Sequence, residues 1–445
     1  MLYIKNSQKI QKYLFKPIDN SQIVLFRMLF GFLMLTESFG AIATGWVKKT
    51  LIDPQFTFSF FGFEWLQPLP GNGMYFYFTL MGIVSIMVML GYRYKLNILA
   101  LALLWSGSYF MQKTSYNNHY YLVMLITWGM VFMNPHYYAS LDARRTKIES
   151  HICPNWNRLF FATLVFLVFT YGAVAKFYPG WWSGDFIKNS FSHKTNYWLI
   201  GSLLGKEWFQ QFITFSGVIF DAIIIPLLIW KRTRMLAFFG LVLFNLFNSV
   251  VFQIGIFPYT VIALTIFFFE TETIRILFFP KKQYTYATDL FFQKHHNNTL
   301  TFYPLIIFFI IQLTLPLRHH LIPGDVNWRE EGHRMSWRMM LRTKRGSINL
   351  EIIIPKTQEK IFVKKRDYLT KSQIKALATK PDFLYQFVQR LKKDYAEKGN
   401  EDIEIYCKMS RVKLNGNQAK PLFKSGVDLA KVKWNYFGRN DWVLD

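Results

Sequence analysis

The side chains best suited to chemistry lie in four short polar segments of an otherwise apolar chain. These segments are KTSYNNH at residues 113–119, YGAVAKFYPGWW at 171–182, LPLRHH at 315–320 and SWRMM at 336–340. They supply a lysine, imidazoles, amides, a serine and guanidinium groups, which can move protons or bind a carboxylate. Each segment adjoins an apolar run long enough to cross or enter a bilayer. The sequence therefore predicts an integral-membrane enzyme.

Lys176 ends one of the apolar runs and is surrounded in sequence by aromatic residues, among them Trp181. A lysine at the end of a membrane helix usually extends to the lipid headgroups. Alternatively, aromatic surroundings remove its hydration, disfavour the ammonium and leave a neutral amine that can act as a base. The residues alone leave both interpretations open.

Two further groups have a structural and a chemical interpretation. Asn118 and His119 begin an apolar run, where asparagine commonly caps a helix, but imidazole beside an amide can also bind and polarise a quinone or phenol oxygen. Basic residues after Ser336 and Trp337, among them Arg342, form either a solvated surface or an attraction for an acidic substrate. The histidines and two cysteines show neither HxxxH nor CxxC spacing, so we expect no metal site.

Two carboxylates, Glu37 and Asp221, fall inside predicted membrane spans. A carboxylate in a bilayer is costly and is usually paired or protonated. We interpret both as structural, with Arg27 as the expected partner of Glu37. A role in proton passage is the alternative.

The distribution of apolar residues predicts the fold class. The chain has 445 residues, of which 52% are hydrophobic and 19% aromatic, and the long apolar runs end near residue 317. The predicted spans are 22–44, 74–91, 96–112, 119–134, 157–177, 208–230, 235–252, 257–270 and 300–317. We predict a polytopic α-helical membrane domain of about nine spans over residues 1–318.

A smaller domain is expected over residues 319–445. Residues 347–354, 360–365 and 403–414 have the composition or alternation of strands, and the last is followed by the turn dipeptide Asn415-Gly416. Residues 371–398 predict two helices that break before Pro381. The fold of this domain is therefore expected to be α+β or β-sandwich-like.

The charged residues predict the binding partner of the protein and its orientation in the membrane. The formal net charge is +25, but the basic residues flank apolar runs instead of forming one stripe. We therefore expect membrane lipid, and not nucleic acid, as the partner. Lys and Arg are richer in alternate connections, which predicts a cytoplasmic N-terminus and a C-terminal domain in the periplasm, lumen or extracellular space. On this topology Cys153 and Cys407 lie on opposite sides of the membrane and cannot form a disulfide.

An aromatic segment at residues 56–65, FTFSFFGFEW, fits neither a span nor a hydrated loop. Aromatic rings are enriched at membrane interfaces. We expect this segment in the outer interface, either covering a lipid-soluble substrate or forming an aromatic belt without a ligand.

Taken in order, the four polar segments resemble the vitamin K-dependent gamma-glutamyl carboxylases, in a short form with an HTTM-type membrane domain. The resemblance extends to LQPLP at 66–70, FMNPHYYASLD at 132–142 and FNLFNSVVFQIGIFPY at 244–259. It implies reduced vitamin K (menaquinol or phylloquinol) as cofactor, O2 and CO2 as cosubstrates and no metal. The implied reaction converts Glu in an exported peptide or protein to gamma-carboxyglutamate, with vitamin K epoxide as coproduct.

The resemblance also implies roles for individual residues. The implied catalytic residues are Lys176, His119 and His319; those binding the cofactor are Asn118, His119, Lys176 and Trp181; and those binding substrate are Trp328, Ser336 and Trp337, to which the basic Arg342 is added. The chain departs from the family with His333 in place of a tyrosine, Arg338 in place of an acid of longer members, and Asn245 in place of a histidine. Alternatives are an epoxidase or quinol oxidase without carboxylation, and a non-catalytic quinone- or lipid-binding membrane protein.

Overall fold

Helices make up most of the structure, a computed structural model that describes residues 9–198, 200–282 and 298–445. Part of the predicted cytoplasmic N-terminal tail lies outside these residues. The helices before the C-terminal sheet are α1 Ser21–Ala43, α2 Gly73–Leu90, α3 Tyr94–Met111, α4 Asn118–Val131, α5 Leu141–Thr146, α6 Trp156–Ala175, α7 Pro179–Trp182, α8 Asp185–Phe191, α9 Gly201–Leu204, α10 Glu207–Ile229, α11 Arg234–Phe252, α12 Phe257–Leu264, α13 Thr271–Phe278, α14 Asn298–Thr314 and α15 Val326–Arg329. Strands β1, Pro17–Asp19, and β2, Ile152–Pro154, pair antiparallel.

Six helices among the described residues are long and apolar enough to cross a membrane: α1, α2, α6, α10, α11 and Phe302–Leu321. They indicate a multi-pass membrane protein. The other three predicted spans coincide with α3, α4 and the shorter apolar stretch Phe257–Phe268. The count of nine spans stays a prediction.

The predicted partner of Glu37 is wrong. Glu37 accepts a hydrogen bond from the hydroxyl of Tyr120 at 2.9 Å, and the buried Arg27 donates to the carbonyl oxygen of Ala139 at 2.7 Å. Both residues lie on α1, ten positions apart, which corresponds to about 15 Å along a helix. Opposite charges ten positions apart on one helix are too far from each other to form an ion pair.

The C-terminal region contains a three-stranded antiparallel sheet in the order β4-β3-β5. The strands are β3 Lys344–Ile354, β4 Glu359–Phe362 and β5 Glu404–Leu414, and the helices are α16 Lys371–Thr379 and α17 Pro381–Ala396. Pro381 begins α17, as predicted, since proline is tolerated in the first turn of a helix. Within the described residues this is an α+β arrangement without the second sheet of a sandwich. Cys153 and Cys407 are free, buried thiols.

The aromatic segment 56–65 joins the helical region to the C-terminal region. The ring of Phe58 is buried 4.6 Å from that of Phe383, and Phe61 lies 5.3 Å from Trp434, whereas Phe60 stacks on Tyr109 of α3 at 5.0 Å. The segment thus has a structural role between the two regions.

An ion-pair cluster strengthens the same junction. The ammonium of Lys113 lies 2.6 Å from a carboxylate oxygen of Asp382, and Arg334 approaches that oxygen to 2.9 Å. Burial lowers the pKa of Lys113 to about 8, although Asp382 opposes the shift. Burial alone would raise the pKa of Asp382, but Arg334 and Lys113 together lower it to about 2. This carboxylate is therefore ionised at neutral pH and compensates two buried cations.

We predict that Asp382→Asn destabilises the protein by about 3–5 kcal/mol, because it leaves two buried cations without a counter-charge. The measurement is the urea midpoint of unfolding in detergent, followed by tryptophan fluorescence. Asp402→Asn is the matched control, since Asp402 is exposed. Equal midpoints for the two variants would contradict a stabilising role for the cluster.

Candidate functional site

A cavity with an empty volume of about 840 Å³ lies between α6, α10 and α11. We call it the apolar cavity. Its walls are mainly aromatic and aliphatic side chains, including Phe169, Phe244 and Phe257. A few polar groups also line it: His119, Lys176, Ser216, Asp221, Asn245 and Asn248. An apolar cavity with few polar groups is typical of a site for a small organic molecule.

Lys176 and Asp221 form a buried ion pair in this cavity. Lys176 follows the last residue of α6, and Asp221 lies in the middle of α10. Gly172, one turn before Lys176, allows the close approach, because a Cβ there would lie 3.1 Å from an oxygen of Asp221. The Lys176 ammonium also lies 5.5 Å from the centre of the Trp181 ring. The lysine therefore lies inside the protein and does not extend to the headgroups.

His119 reaches the cavity from the first turn of α4. Its ring stacks on Phe257 of α12, with ring centres 4.0 Å apart and an angle of 22° between planes. Asn117, two residues earlier, caps α4 by accepting a hydrogen bond from the backbone N–H of Tyr120. The cap and the stacking fix where the imidazole can lie.

A wall segment, residues 335–341, separates this cavity from a second one. Met339 and Met340 line the apolar cavity, whereas Ser336 and Arg338 line the second. Between them, Trp337 is completely buried, 5.3 Å from the ring of Tyr121. The segment holds three non-glycine residues with positive φ, at Met335 (58°), Trp337 (54°) and Met340 (54°). Such conformations are sparsely populated and persist only where their surroundings impose them.

Hydrogen bonds from the 113–119 segment impose this conformation. The hydroxyl of Tyr116 accepts from the backbone N–H of Met335 at 2.5 Å and donates to the side-chain oxygen of Asn118 at 2.8 Å. The amide nitrogen of Asn118 then donates to the carbonyl oxygen of Arg338 at 3.2 Å. The segment thus positions both His119 and the wall.

The polar cavity, the second of the two, lies between the C-terminal end of α6, residues 316–327 and the C-terminal region. Its empty volume is about 1510 Å³. Its lining includes His319, His320, Asp325, Asn327, Ser336, Arg338, Asn415 and Asn417, together with residues 174–175 and 177–180. Since Lys176 lines the apolar cavity and Ala175, Phe177 and Tyr178 line the polar one, both cavities share this stretch of chain.

Comparison with protein families gives two matches. A family model for the HTTM domain matches residues 15–272. A second, described as the lumenal domain of vitamin K-dependent gamma-carboxylase, matches residues 297–445. The chain belongs to the vitamin K-dependent gamma-carboxylase family. No solved structure matches the chain.

The structure brings together three of the four residues that the resemblance assigns to cofactor binding in the carboxylase family. His119, Lys176 and Trp181 all line the apolar cavity. Asn118 does not line it, and its two side-chain hydrogen bonds go to Tyr116 and the wall segment. Asn245, which replaces a family histidine, lies in the cavity lining and donates to the carbonyl oxygen of Leu241.

The residues assigned to the carboxylase reaction centre and substrate are more dispersed. His319 and Ser336 line the polar cavity, and Trp337 lies in the wall. Trp328 is buried in the C-terminal core, where its indole N–H donates to the carbonyl oxygen of Leu444. Arg342 forms an ion pair with Glu330. Trp328 and Arg342 belong to neither cavity lining and have contacts within the protein, and their role in substrate binding stays a prediction.

Sequence reasoning did not identify Asp221 as the partner of Lys176. Lys176 was predicted at the outer end of one span and Asp221 in the middle of another, about 21 Å along α10 from Glu207. The available signal was Gly172, since a small residue one turn from a lysine permits close approach of another helix. Met339 and Met340 were also missed as lining, because the backbone conformation of the wall is not visible in the sequence.

We expect that Lys176→Met and Asp221→Leu each destabilise the protein by about 3–5 kcal/mol, because each leaves one buried ionisable group unpaired. The double variant removes both groups and should recover most of that loss. Unfolding in urea, measured for all four proteins, gives the coupling energy. Additive losses in the double variant would show that the ion pair does not determine stability here.

Proposed function

We propose that this protein is an integral-membrane vitamin K-dependent gamma-glutamyl carboxylase, which couples oxygenation of vitamin K hydroquinone to carboxylation of peptidyl Glu. The observation that carries the proposal is the pair of cavities on opposite sides of one wall. An apolar cavity holds Lys176 and His119, and a polar cavity holds His319 and Ser336. This arrangement suits a lipid-soluble cosubstrate on one side and a peptide on the other.

The lining of the apolar cavity fits reduced vitamin K. Aromatic and aliphatic walls suit a naphthoquinol ring, while His119, Lys176 and Trp181 supply the polar and aromatic contacts. When bound, reduced vitamin K reacts with O2 and thereby supplies a base stronger than any side chain for removing the γ-proton of glutamate. The residues of the chain bind, orient and exchange protons around this chemistry.

Lys176 and Asp221 form a proton-accepting pair in the proposed mechanism. A proton leaving a quinol hydroxyl moves to the Lys176 amine, and the Asp221 carboxylate stabilises the ammonium that results. Before this step the pair must have given up the proton that it shares, so that a neutral amine lies beside the Asp221 carboxylate. Gly172 and the burial of both side chains exclude water from the exchange.

His119 and His319 act on different sides of the wall. His119, held flat against Phe257, can hydrogen-bond an oxygen of the quinol ring. His319 donates from Nδ1 to the carbonyl oxygen of Pro316 at 2.7 Å, since a carbonyl can only accept. Its Nε2 is therefore the acceptor and is directed to the polar cavity beside Arg338.

The proposed orientation puts the C-terminal region outside the cytoplasm, in the periplasm, lumen or extracellular space. The alternation of Lys and Arg along the chain supports this orientation, as does the match to a family domain described as lumenal. The substrate would then be an exported peptide or protein that contains Glu, reaching the polar cavity from that side.

The central test measures vitamin K epoxide and CO2 fixation in one reaction. Purified protein with reduced vitamin K, O2, labelled CO2 and a Glu peptide should form both products. Lys176→Ala should lower both by at least about 100-fold, because a positioned base contributes about 10²–10⁴-fold, and a small strong amine should restore part of the activity. Lys188→Ala, at an exposed lysine, is the control. Absence of both products from folded protein would refute the proposal.

A second prediction concerns His119. His119→Ala should lower epoxide formation by about 10²-fold or more, since it removes a positioned hydrogen-bonding group, while the urea midpoint stays close to that of the wild type. The comparison is His193→Ala, which changes an exposed histidine. Unchanged epoxide formation in His119→Ala would remove this residue from the proposed mechanism.

A second candidate function is a vitamin K epoxidase or quinol oxidase that does not carboxylate. It is favoured by the commitment of Trp328 and Arg342, both assigned to substrate binding, to contacts within the protein. Epoxide formed without fixed CO2, across a wide set of Glu peptides, would support this candidate over the carboxylase.

A further inference from the structure

Arg338 differs from Arg329, Arg334 and Arg342 in having no carboxylate partner among the described residues. Arg329 pairs with Glu331, Arg334 with Asp382 and Arg342 with Glu330. Arg338 is only 8% exposed, yet its guanidinium lines the polar cavity. Burial lowers the pKa of Arg338 to about 10, so the side chain remains a cation at neutral pH. A buried cation beside a cavity is expected to attract an anion.

The hydrogen bonds of Arg338 fix its position without using all its donors. One terminal nitrogen lies 3.3 Å from Nε2 of His319, which accepts, and the other donates to the side-chain oxygen of Asn327 at 3.2 Å. Its Nε is buried and has no hydrogen-bond partner within the described part of the chain. A guanidinium has five N–H donors arranged to match the two oxygens of a carboxylate. The side chain of Arg338 is thus held in position while part of its hydrogen-bonding capacity remains free.

The acidic side chains of the same cavity form no direct ion pair with Arg338, although the charge of Asp325 acts to raise the pKa of Arg338. Asp185 and Asp325 both line the cavity. Asp325 caps α15 by accepting a hydrogen bond from the backbone N–H of Asn327 at 2.8 Å, and neither carboxylate is within ion-pair distance of the guanidinium. Among the described residues Arg338 therefore has no directly bound carboxylate, and an anion that enters the cavity can take that position.

We propose that Arg338 binds the side-chain carboxylate of the peptide glutamate in the polar cavity, an assignment that rests on the proposed function and names the substrate contact of that site. Arg338 takes the role that the sequence suggested for Arg342, whose charge is neutralised by Glu330. Because Met339 follows Arg338 and lines the apolar cavity, a carboxylate held here brings the glutamate side chain to the wall between the cavities. The contact both selects Glu and positions it.

The test compares binding of two fluorescent peptides, identical except for one Glu or Gln, to the full-length protein in detergent without reduced vitamin K. The wild type should bind the Glu peptide about 10-fold more tightly or better, as expected for a charge-assisted hydrogen bond. Arg338→Gln should bind both peptides equally, and Arg338→Lys should retain part of the preference. Arg345→Gln, at an exposed arginine, should bind like the wild type.

Equal affinity of the wild type for the two peptides would overturn the proposal, and that measurement needs no variant to fold. A full preference for Glu in Arg338→Gln, or its loss in Arg345→Gln, would also overturn it. Bicarbonate is the other anion that the site could take. Tight binding of bicarbonate at Arg338 that does not compete with the Glu peptide would assign the residue to that ion instead. Since no turnover is involved, a protein that discriminates the peptides but fixes no CO2 would refute the proposed function and leave this inference intact.

Discussion

The structure depends on one constraint that acts at two places: a lysine buried away from water needs a carboxylate close to it. The desolvation of an ammonium or guanidinium costs several kcal/mol, and only a close carboxylate with good geometry offsets it. Lys176 meets this condition through Asp221 on α10, and Lys113 through Asp382 on α17. Each pair joins parts of the chain that are distant in sequence. Charge compensation therefore determines which helices and regions are adjacent.

The same constraint explains how one short polar segment organises both cavities. Lys113 attaches the 113–119 segment to the C-terminal region, and Tyr116 and Asn118 hold the wall by hydrogen bonds to its backbone. His119 then enters the apolar cavity. Loss of the Lys113 ion pair would move the wall and His119 together, since the 113–119 segment carries His119 and holds the wall by hydrogen bonds. The residues that hold the wall, Tyr116 and Asn118, are thus immediate neighbours in sequence of the imidazole that enters the apolar cavity.

The sequence was sufficient for elements whose signal is local. Apolar length predicted the six helices that are long and apolar enough to cross a membrane, and Lys380-Pro381 predicted the break between α16 and α17. Residue types and their order also indicated the family. Contacts across the fold were not accessible in this way: Glu37 was paired with Arg27 by charge alone, and the ion pair of Arg342 with Glu330 was not predicted. Pairing depends on helix rotation and on loop conformation, which one sequence with no structure does not specify.

Two departures from the family pattern, His333 and Arg338, lie near the wall segment and are linked through Arg342. His333, where the family has a tyrosine, is buried, and burial lowers its pKa well below the ordinary value. Because a guanidinium only donates, the neutral ring accepts from Arg342 through Nε2. Glu330 binds the same guanidinium and also Lys344 at 3.3 Å. This network keeps Arg342 out of the polar cavity.

Arg338 supplies a positive charge to that cavity where longer members of the family have an acid. An acid at this position would add a third carboxylate to a lining that already holds Asp185 and Asp325. With Arg342 held by Glu330, the guanidinium of Arg338 is the group in this part of the lining that can balance an incoming carboxylate. Arg342 and Arg338 thus differ in their surroundings: Glu330 binds Arg342 within the protein, whereas Arg338 lines the cavity without an ion-pair partner among the described residues.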